Sequence, residues 1–437
     1  AGLWTDSRYF LQAEEQLKNT GIDLFRLGVE GTPSIEEFLK NELHPGARVG
    51  VDASLLTHQQ FINLQDFLAE KGIELISLEE NLIDQIWQDQ PPLPDSPVIY
   101  LDEKYSGESH ESKIGKIRQY LNQQKGDAII FSTLDSIAWI LNIRGMDIAY
   151  NPVVISYLIV TSDSVFWFVD PRKVSSEVKS RLGDIISIKP YGQFFAELET
   201  IITNYRTIVL DPMQINHRIF EMVSVQVEVI SAENPVDMMK GIKNEVEIQG
   251  IKNAHIRDGV AMVKFLHWLE KHVRDETITE LDAEKKLEEF RSQQDLYQGP
   301  SFRTISAFGE HGAIVHYAAD EESNAVIRPD GIFLLDSGGQ YLDGTTDITR
   351  TIAIGNPTPE QKKMFTLVLK GMIDLTITPF PKGTVGKQLD TIARLPLWQH
   401  FKNYGHGTGH GIGHFLNVHE GPHAISYYRC KGVPLLP

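Results

Sequence analysis

One cysteine, Cys430, stands among 437 residues, so the chain cannot form an internal disulfide. No Asn-x-Ser/Thr acceptor occurs either, because Asn356 is followed by Pro357. Both absences favour a reducing, cytosolic home. Apolar runs of membrane-spanning length are missing, which argues against a membrane-embedded protein. Positive charge is scarce, with 41 Lys and Arg against 59 Asp and Glu and a formal net charge of −18. Such a chain is a poor partner for nucleic acid and a freely soluble one. There is no Gly-rich phosphate loop, and no zinc-protease helix is indicated. An initiating methionine is absent too: the chain opens Ala1-Gly-Leu-Trp4 and stops at Gly432-Val-Pro-Leu-Leu-Pro437, as expected of a piece of a longer protein.

What is present is enough for ordered domains. The hydrophobic fraction is 41%, with 20 Phe, 14 Tyr and 6 Trp, which excludes a disordered chain and can fill two or three cores. Gln90-Pro-Pro-Leu-Pro-Asp-Ser-Pro97 is stiff and strand-breaking and reads as a linker. A second boundary is expected near Asn234-Pro235, ahead of a helix from about Asn244 to Val273. In that helix Ile248, Ile251, Ile256, Val260, Val263, Leu266 and Leu269 lie close to one stripe. Further helices are expected from Thr279 and from Thr358-Pro-Glu-Gln361, where Thr caps, Pro takes the first helical position and Gln reaches back.

A faint repeat runs through the first 235 residues. Arg48-Val-Gly-Val-Asp52 and Glu74-Leu-Ile-Ser77 flank a helix-like stretch, as do Thr207-Ile-Val-Leu-Asp211 and Val227-Glu-Val-Ile-Ser231. Leu3-Trp-Thr-Asp6 likewise echoes Phe166-Trp-Phe-Val-Asp170, each followed by a helix. Two related α/β units in tandem are expected, as scaffold.

Chemistry concentrates further on. Asp336 and Asp347 lie in Leu334-Leu-Asp-Ser-Gly-Gly-Gln-Tyr-Leu-Asp-Gly-Thr-Thr-Asp-Ile-Thr-Arg-Thr351, between strand-like flanks and around a Gly-rich turn. Folded as a hairpin, the segment sets two carboxylates side by side, where one must hold a proton unless a cation lies between them. Solvated loop aspartates are the alternative. Histidine then becomes dense: of 15 in the chain, His406, His410, His414 and His419 fall in one stretch interleaved with Gly405, Gly407, Gly409, Gly411 and Gly413. Alternating Gly and His makes poor helix and poor core, and suits a place where backbone and imidazoles crowd around something small; a histidine-rich surface loop is the alternative. Upstream, His316 in Ile314-Val-His-Tyr317 is expected on an apolar strand ending in a polar turn, where a satisfied core histidine is the alternative.

Taken together, His316-Tyr-Ala, the Asp336–Asp347 segment, His406-Gly-Thr-Gly-His-Gly and the opening Leu3-Trp-Thr-Asp-Ser-Arg-Tyr-Phe10 resemble the X-Pro aminopeptidases, most of all their three-domain cytosolic eukaryotic form, among the pita-bread metallopeptidases. The resemblance implies an α/β and α+β protein. Two tandem creatinase-like domains, 1–90 and 91–238, would precede a truncated pita-bread catalytic domain, 239–437. It implies a metal-dependent exopeptidase releasing the N-terminal residue from peptides with proline second. Two divalent ions, manganese in most of the family, would hold a bridging hydroxide that attacks the Xaa-Pro bond. By matching position to position, Asp336, Asp347 and His410 are implied metal ligands. His316, His406 and His419 are implied to contact substrate and to stabilise the tetrahedral intermediate, and Arg8 to bind the peptide; an exposed strand-end charge is the other reading of Arg8. A cytoplasmic homodimer is implied, with a peptide as its partner and neither nucleic acid nor membrane.

Two departures stand beside the matches. The family's remaining metal ligands are glutamates in an E-P-G and a final R-x-E segment downstream of the histidine-rich stretch, and neither segment follows that stretch before Pro437. The 437-residue chain alone is therefore expected to bind metal weakly and turn over negligibly. His414 and His423 match no functional position. The alternatives are prolidase, which shares the site but takes dipeptides, and a non-catalytic pita-bread protein that binds peptides.

Overall fold

Strand–helix–strand repetition in the N-terminal half becomes parallel strand pairs. In the computed structural model, which describes residues 1–78, 80–427 and 432–435, Arg48–Asp52 pairs in parallel with Glu74–Leu78 across the helix His58–Ala69. Thr207–Leu210 pairs in parallel with Glu228–Ser231 across His217–Ser224. The other echo holds as well: Gly2–Thr5 runs parallel to Asp23–Arg26, and Val165–Val169 to Ile186–Pro190. Cys430 lies outside the described residues.

The chain divides into two units, Ala1–Thr32 with Gly241–Pro437, and Pro33–Lys240. In the second unit a six-stranded sheet runs in the order Ile186–Pro190, Val165–Val169, Tyr157–Thr161, Ala128–Phe131, Thr207–Leu210, Glu228–Ser231. Only Tyr157–Thr161 is antiparallel to its neighbours. Its strands are near-continuous apolar runs because both faces are covered; Trp167 and Phe168 are fully buried, and Phe194, Leu198 and Ile202 of the helix Phe194–Ile202 pack on the sheet. The repeats meet reciprocally: the His58 N–H donates to the Ile215 carbonyl (2.9 Å) and that of His217 to the Leu56 carbonyl (3.0 Å). Their rings share a 2.9 Å Nδ1–Nδ1 hydrogen bond. Gln90–Val98 carries neither helix nor strand, as its prolines require.

In the first unit the long helix spans Glu245–His272, capped by Asn244 with Glu247 closing the capping box. Its buried face is not the expected one. Glu247, Gly250, Ala254, Asp258, Ala261, Phe265 and Leu269 are buried, whereas Ile256, Val260 and Val263 are exposed. Spacing of 3.6 residues per turn fits both stripes, and close approach decides between them: a Cβ on Gly250 would overlap the Asp343 carbonyl, so the smallest residues must face inward. Phe265 and Leu269 then pack with Leu287 of the helix Glu280–Ser292 under Phe333 and Leu335. Those two residues belong to the central strand of an antiparallel sheet ordered Ile305–Phe308, Gly331–Ser337, Ile348–Ile354. Alternation along Gly331–Ser337 buries Phe333, Leu335 and Ser337 and leaves Leu334 and Asp336 on the opposite face. The third expected helix spans Pro359–Ile377, with Thr358 and Gln361 closing its capping box.

Candidate active site

The hairpin expected around the aspartate pair forms, with Asp336 paired to Thr349 and Ser337 to Ile348. Asp347 sits one residue ahead of its strand rather than in it. Its neighbours are held from below, since Thr346 and Thr345 are buried and Thr345 Oγ1 donates to Gln340 Oε1 (2.7 Å). Thr349 Oγ1 donates to Asp336 Oδ1 at 2.6 Å. Burial raises the Asp336 carboxyl; the Thr349 bond opposes this and the Asp347 charge adds to it, leaving the group at about 6. A cation in this corner would favour the ionised form of both carboxylates.

His410 comes from the short strand Gly409–Gly411, antiparallel to Glu420–Ile425 with an irregularity just after His410. The alternation of His with Gly has a local meaning here. His406 Nδ1 bonds the Gly407 carbonyl and His410 Nδ1 the Gly411 carbonyl, each at 2.8 Å. A carbonyl can only accept, so Nδ1 carries the proton in both rings and Nε2 is turned outward. A Cβ on Gly411 would overlap the Glu420 carbonyl, so glycine is what lets the strands close. His410 Nε2 lies 3.2 Å from Asp347 Oδ2. Burial pulls the His410 pKa down, but the Asp347 carboxylate and the Gly411 and Val418 carbonyls outweigh it, and the net shift is upward.

Asp347, His410 and His419 offer ligand atoms all within 4.8 Å of one another. Asp336 stands beside this trio, within electrostatic reach of Asp347 and His410 but not one of the group, and its carboxylate is bonded to Thr349. The His419 and His410 rings meet edge to face, centroids 4.3 Å apart. Burial, then the proximity of His410, lower the His419 pKa. Two carboxylates and imidazole nitrogens are a donor set that suits a hard to borderline divalent ion, so the residues present fit a metal site.

His316 lies on a turn after the short 3-10 helix Gly309–Ala313, not on a strand. The reason is Glu280, whose fully buried carboxylate accepts from the Phe308 N–H (2.6 Å), Tyr317 Oη (2.8 Å) and the Ala325 N–H (2.9 Å), drawing the segment around itself. Arg8 is clamped by Asp6, with Nε and Nη2 at 2.8 and 2.7 Å from its two oxygens, and that bond raises its pKa. The Arg8 charge also contributes to lowering the pKa of His316 and of His419. His406 is exposed beside Tyr404, ring centroids 4.8 Å apart. His414 is buried, and His423 Nε2 bonds the Pro434 carbonyl at 3.0 Å.

Two further residues escaped the sequence reading. Buried Arg394, on the helix Gly386–Trp398, donates to the Tyr404 and His406 carbonyls at 2.6 Å each, and pairs with buried Asp390 at 2.7 Å. Thr408 Oγ1 donates to Asp390 Oδ1 at 2.6 Å. An Asp-x-x-x-Arg spacing on an otherwise amphipathic helix was the available signal, and it is a common one on solvated faces.

Residues 1–86 and 89–247 each match a profile of the Creatinase/Prolidase N-terminal domain, and 249–437 match metallopeptidase family M24. A probable Xaa-Pro aminopeptidase P of Laccaria bicolor is 44% identical over 434 residues, covering 97% of this chain and 67% of its own length. One of Aspergillus niger is 42% identical over 435 residues, covering 97% of this chain and 71% of its own. Among solved structures, a cytosolic X-prolyl aminopeptidase of Caenorhabditis elegans with a di-nuclear active site superposes with a TM-score of 0.94 at 38% identity, over 100% of this chain and 72% of that one. The Xaa-Pro dipeptidase of Bacillus anthracis, at 22% identity and a TM-score of 0.59 over 73% of this chain and 86% of its own, shares the fold alone. Two creatinase-type N-terminal domains thus precede a pita-bread metallopeptidase domain, and the chain belongs to the Xaa-Pro aminopeptidase P family.

Proposed function

We propose that this protein removes the N-terminal residue from peptides whose second residue is proline, using two divalent metal ions. The observation that carries the reading is the convergence of Asp347, His410 and His419, with Asp336 beside them, in a chain similar to Xaa-Pro aminopeptidases P over 97% of its length. The domain division at 1–90, 91–238 and 239–437 belongs to this reading and is supported by where the family profiles start and stop.

Asp336, Asp347 and His410 are the proposed ligands. Manganese is the proposed ion, since a carboxylate-rich set with imidazole suits it. When bound, the ions would supply Lewis acidity toward the scissile carbonyl. The chain's own groups do the rest. Asp347 and His410 keep donor atoms aimed at one point, and the Nδ1 bond to Gly411 holds the His410 ring. His316, His406 and His419 line the substrate. Arg8, fixed by Asp6, supplies a cation for the peptide. A cytosolic homodimer completes the reading; a cytosolic location suits the single cysteine, and no helix among the described residues is long and apolar enough to cross a membrane.

The natural protein carrying this sequence, supplied with manganese and a Xaa-Pro-Pro peptide, is expected to release the first residue. No release under those conditions sinks the proposal, and cleavage of Xaa-Pro dipeptides with tripeptides left intact turns it to a dipeptidase.

A further inference from the structure

The turn Asp6–Tyr9 touches both histidine-bearing segments. Ser7 Oγ donates to the Gly405 carbonyl at 2.7 Å, and Tyr9 Oη lies 2.5 Å from His316 Nδ1 with the rings edge to face, centroids 5.0 Å apart. The turn is rigid: the Tyr9 N–H donates to the Asp6 carbonyl (3.0 Å), the Arg8 N–H to Asp6 Oδ1 (3.1 Å), and the Arg8 side chain grips the same carboxylate. On its far side His316 is anchored through Tyr317 to Glu280.

From this geometry we infer that Tyr9 is a positioning residue for His316, donating its O–H to Nδ1 and so placing the ring proton on Nε2. A phenol is the stronger donor and an imidazole nitrogen the stronger acceptor, which sets the direction of the bond. The neutral ring follows from burial and from the Arg8 cation nearby, both of which lower the His316 pKa. The consequence is a division of labour. His406 gives Nδ1–H to the Gly407 carbonyl and keeps Nε2 as an acceptor, and His410 gives Nδ1–H to the Gly411 carbonyl with Nε2 facing Asp347, whereas His316 turns out a donor N–H. A donor held in place is what a developing oxyanion needs, so His316 is the histidine suited to that task. The inference rests on the exopeptidase reading for its catalytic consequence, but the tautomer itself does not.

Two measurements on the full-length protein test it. In Tyr9→Phe the ring packing is retained, and kcat is expected to fall about 10- to 100-fold with KM within about threefold and the melting temperature unchanged. Nitrogen-15 spectra of histidine-labelled protein, with His316→Gln identifying the resonance, are expected to show Nε2–H at His316 in the parent and a mixture of tautomers in Tyr9→Phe. A parent ring protonated at Nδ1, or a Tyr9→Phe kcat within twofold of the parent, overturns the inference. A parent that cleaves no Xaa-Pro peptide overturns the exopeptidase reading instead, and the spectra still decide the tautomer.

Discussion

Asp336 shows how one side chain can oppose the fold it belongs to. Its carboxyl is raised to about 6 by burial and by Asp347, above the ordinary 3.8 it has in an unfolded chain. The folded protein therefore binds the extra proton, and this contribution is present below pH 4 and lost as pH rises through about 6. In chelator, Asp336→Asn is expected to be more stable than the parent by about 2 kcal/mol at pH 8, with the gap closing by pH 4; thermal melts at both pH values measure it. The same substitution removes a proposed ligand, so added manganese should stabilise the parent and not the variant. Equal melts at pH 8 refute this account. The aspartates could be read from the sequence because their strands alternate and their turn is glycine-rich. Tyr9 could not, because a tyrosine 307 positions before its histidine leaves no local trace.

Elements place these side chains to within an ångström through glycine and buried charge. Gly386 begins the helix Gly386–Trp398, and a Cβ there would overlap the Ala424 carbonyl on the strand paired with His410. Gly386→Ala is expected to cost about 2–3 kcal/mol and to weaken metal binding as the strand shifts; chemical unfolding and a manganese titration read the two effects. Glu280→Gln is expected to cost about 3 kcal/mol, because a fully buried carboxylate with four donors becomes an amide with its own N–H groups to satisfy. Its melts should fall and kcat with them, since the segment bearing His316 loosens. Element ends were legible: Asn244, Thr279 and Thr358 cap the helices where the sequence places them. Which face of the long helix is buried was not, because Gly250 and Ala254 face inward for a reason located at Asp343 and Gly344, far along the chain.

At the scale of the molecule the two units carry different dependences. All the proposed ligands lie in the unit of Ala1–Thr32 with Gly241–Pro437, so calorimetry is expected to show one transition that rises with manganese, by about 4 kcal/mol at a thousandfold excess over Kd, and one that does not. In the unit of Pro33–Lys240, burial first and the neighbouring ring second lower the pKa of His58, and burial, opposed by Glu221, lowers that of His217. A lowered histidine stabilises the fold above its unfolded pKa of 6.5, and that stability is lost as pH falls through the folded value. Urea unfolding should thus weaken between pH 7 and pH 5, and His217→Phe should flatten the slope; an unchanged slope counts against the shared ring bond. Periodicity and local chemistry set the helices, their caps, the tandem repeat and the residue types of the site, though not the turn that carries His316. Only the folded chain settles which donors converge, what His316 bonds to and which charges are buried, because those depend on partners distant in sequence, Asp347 for His410 and Tyr9 for His316, meeting within hydrogen-bond distance.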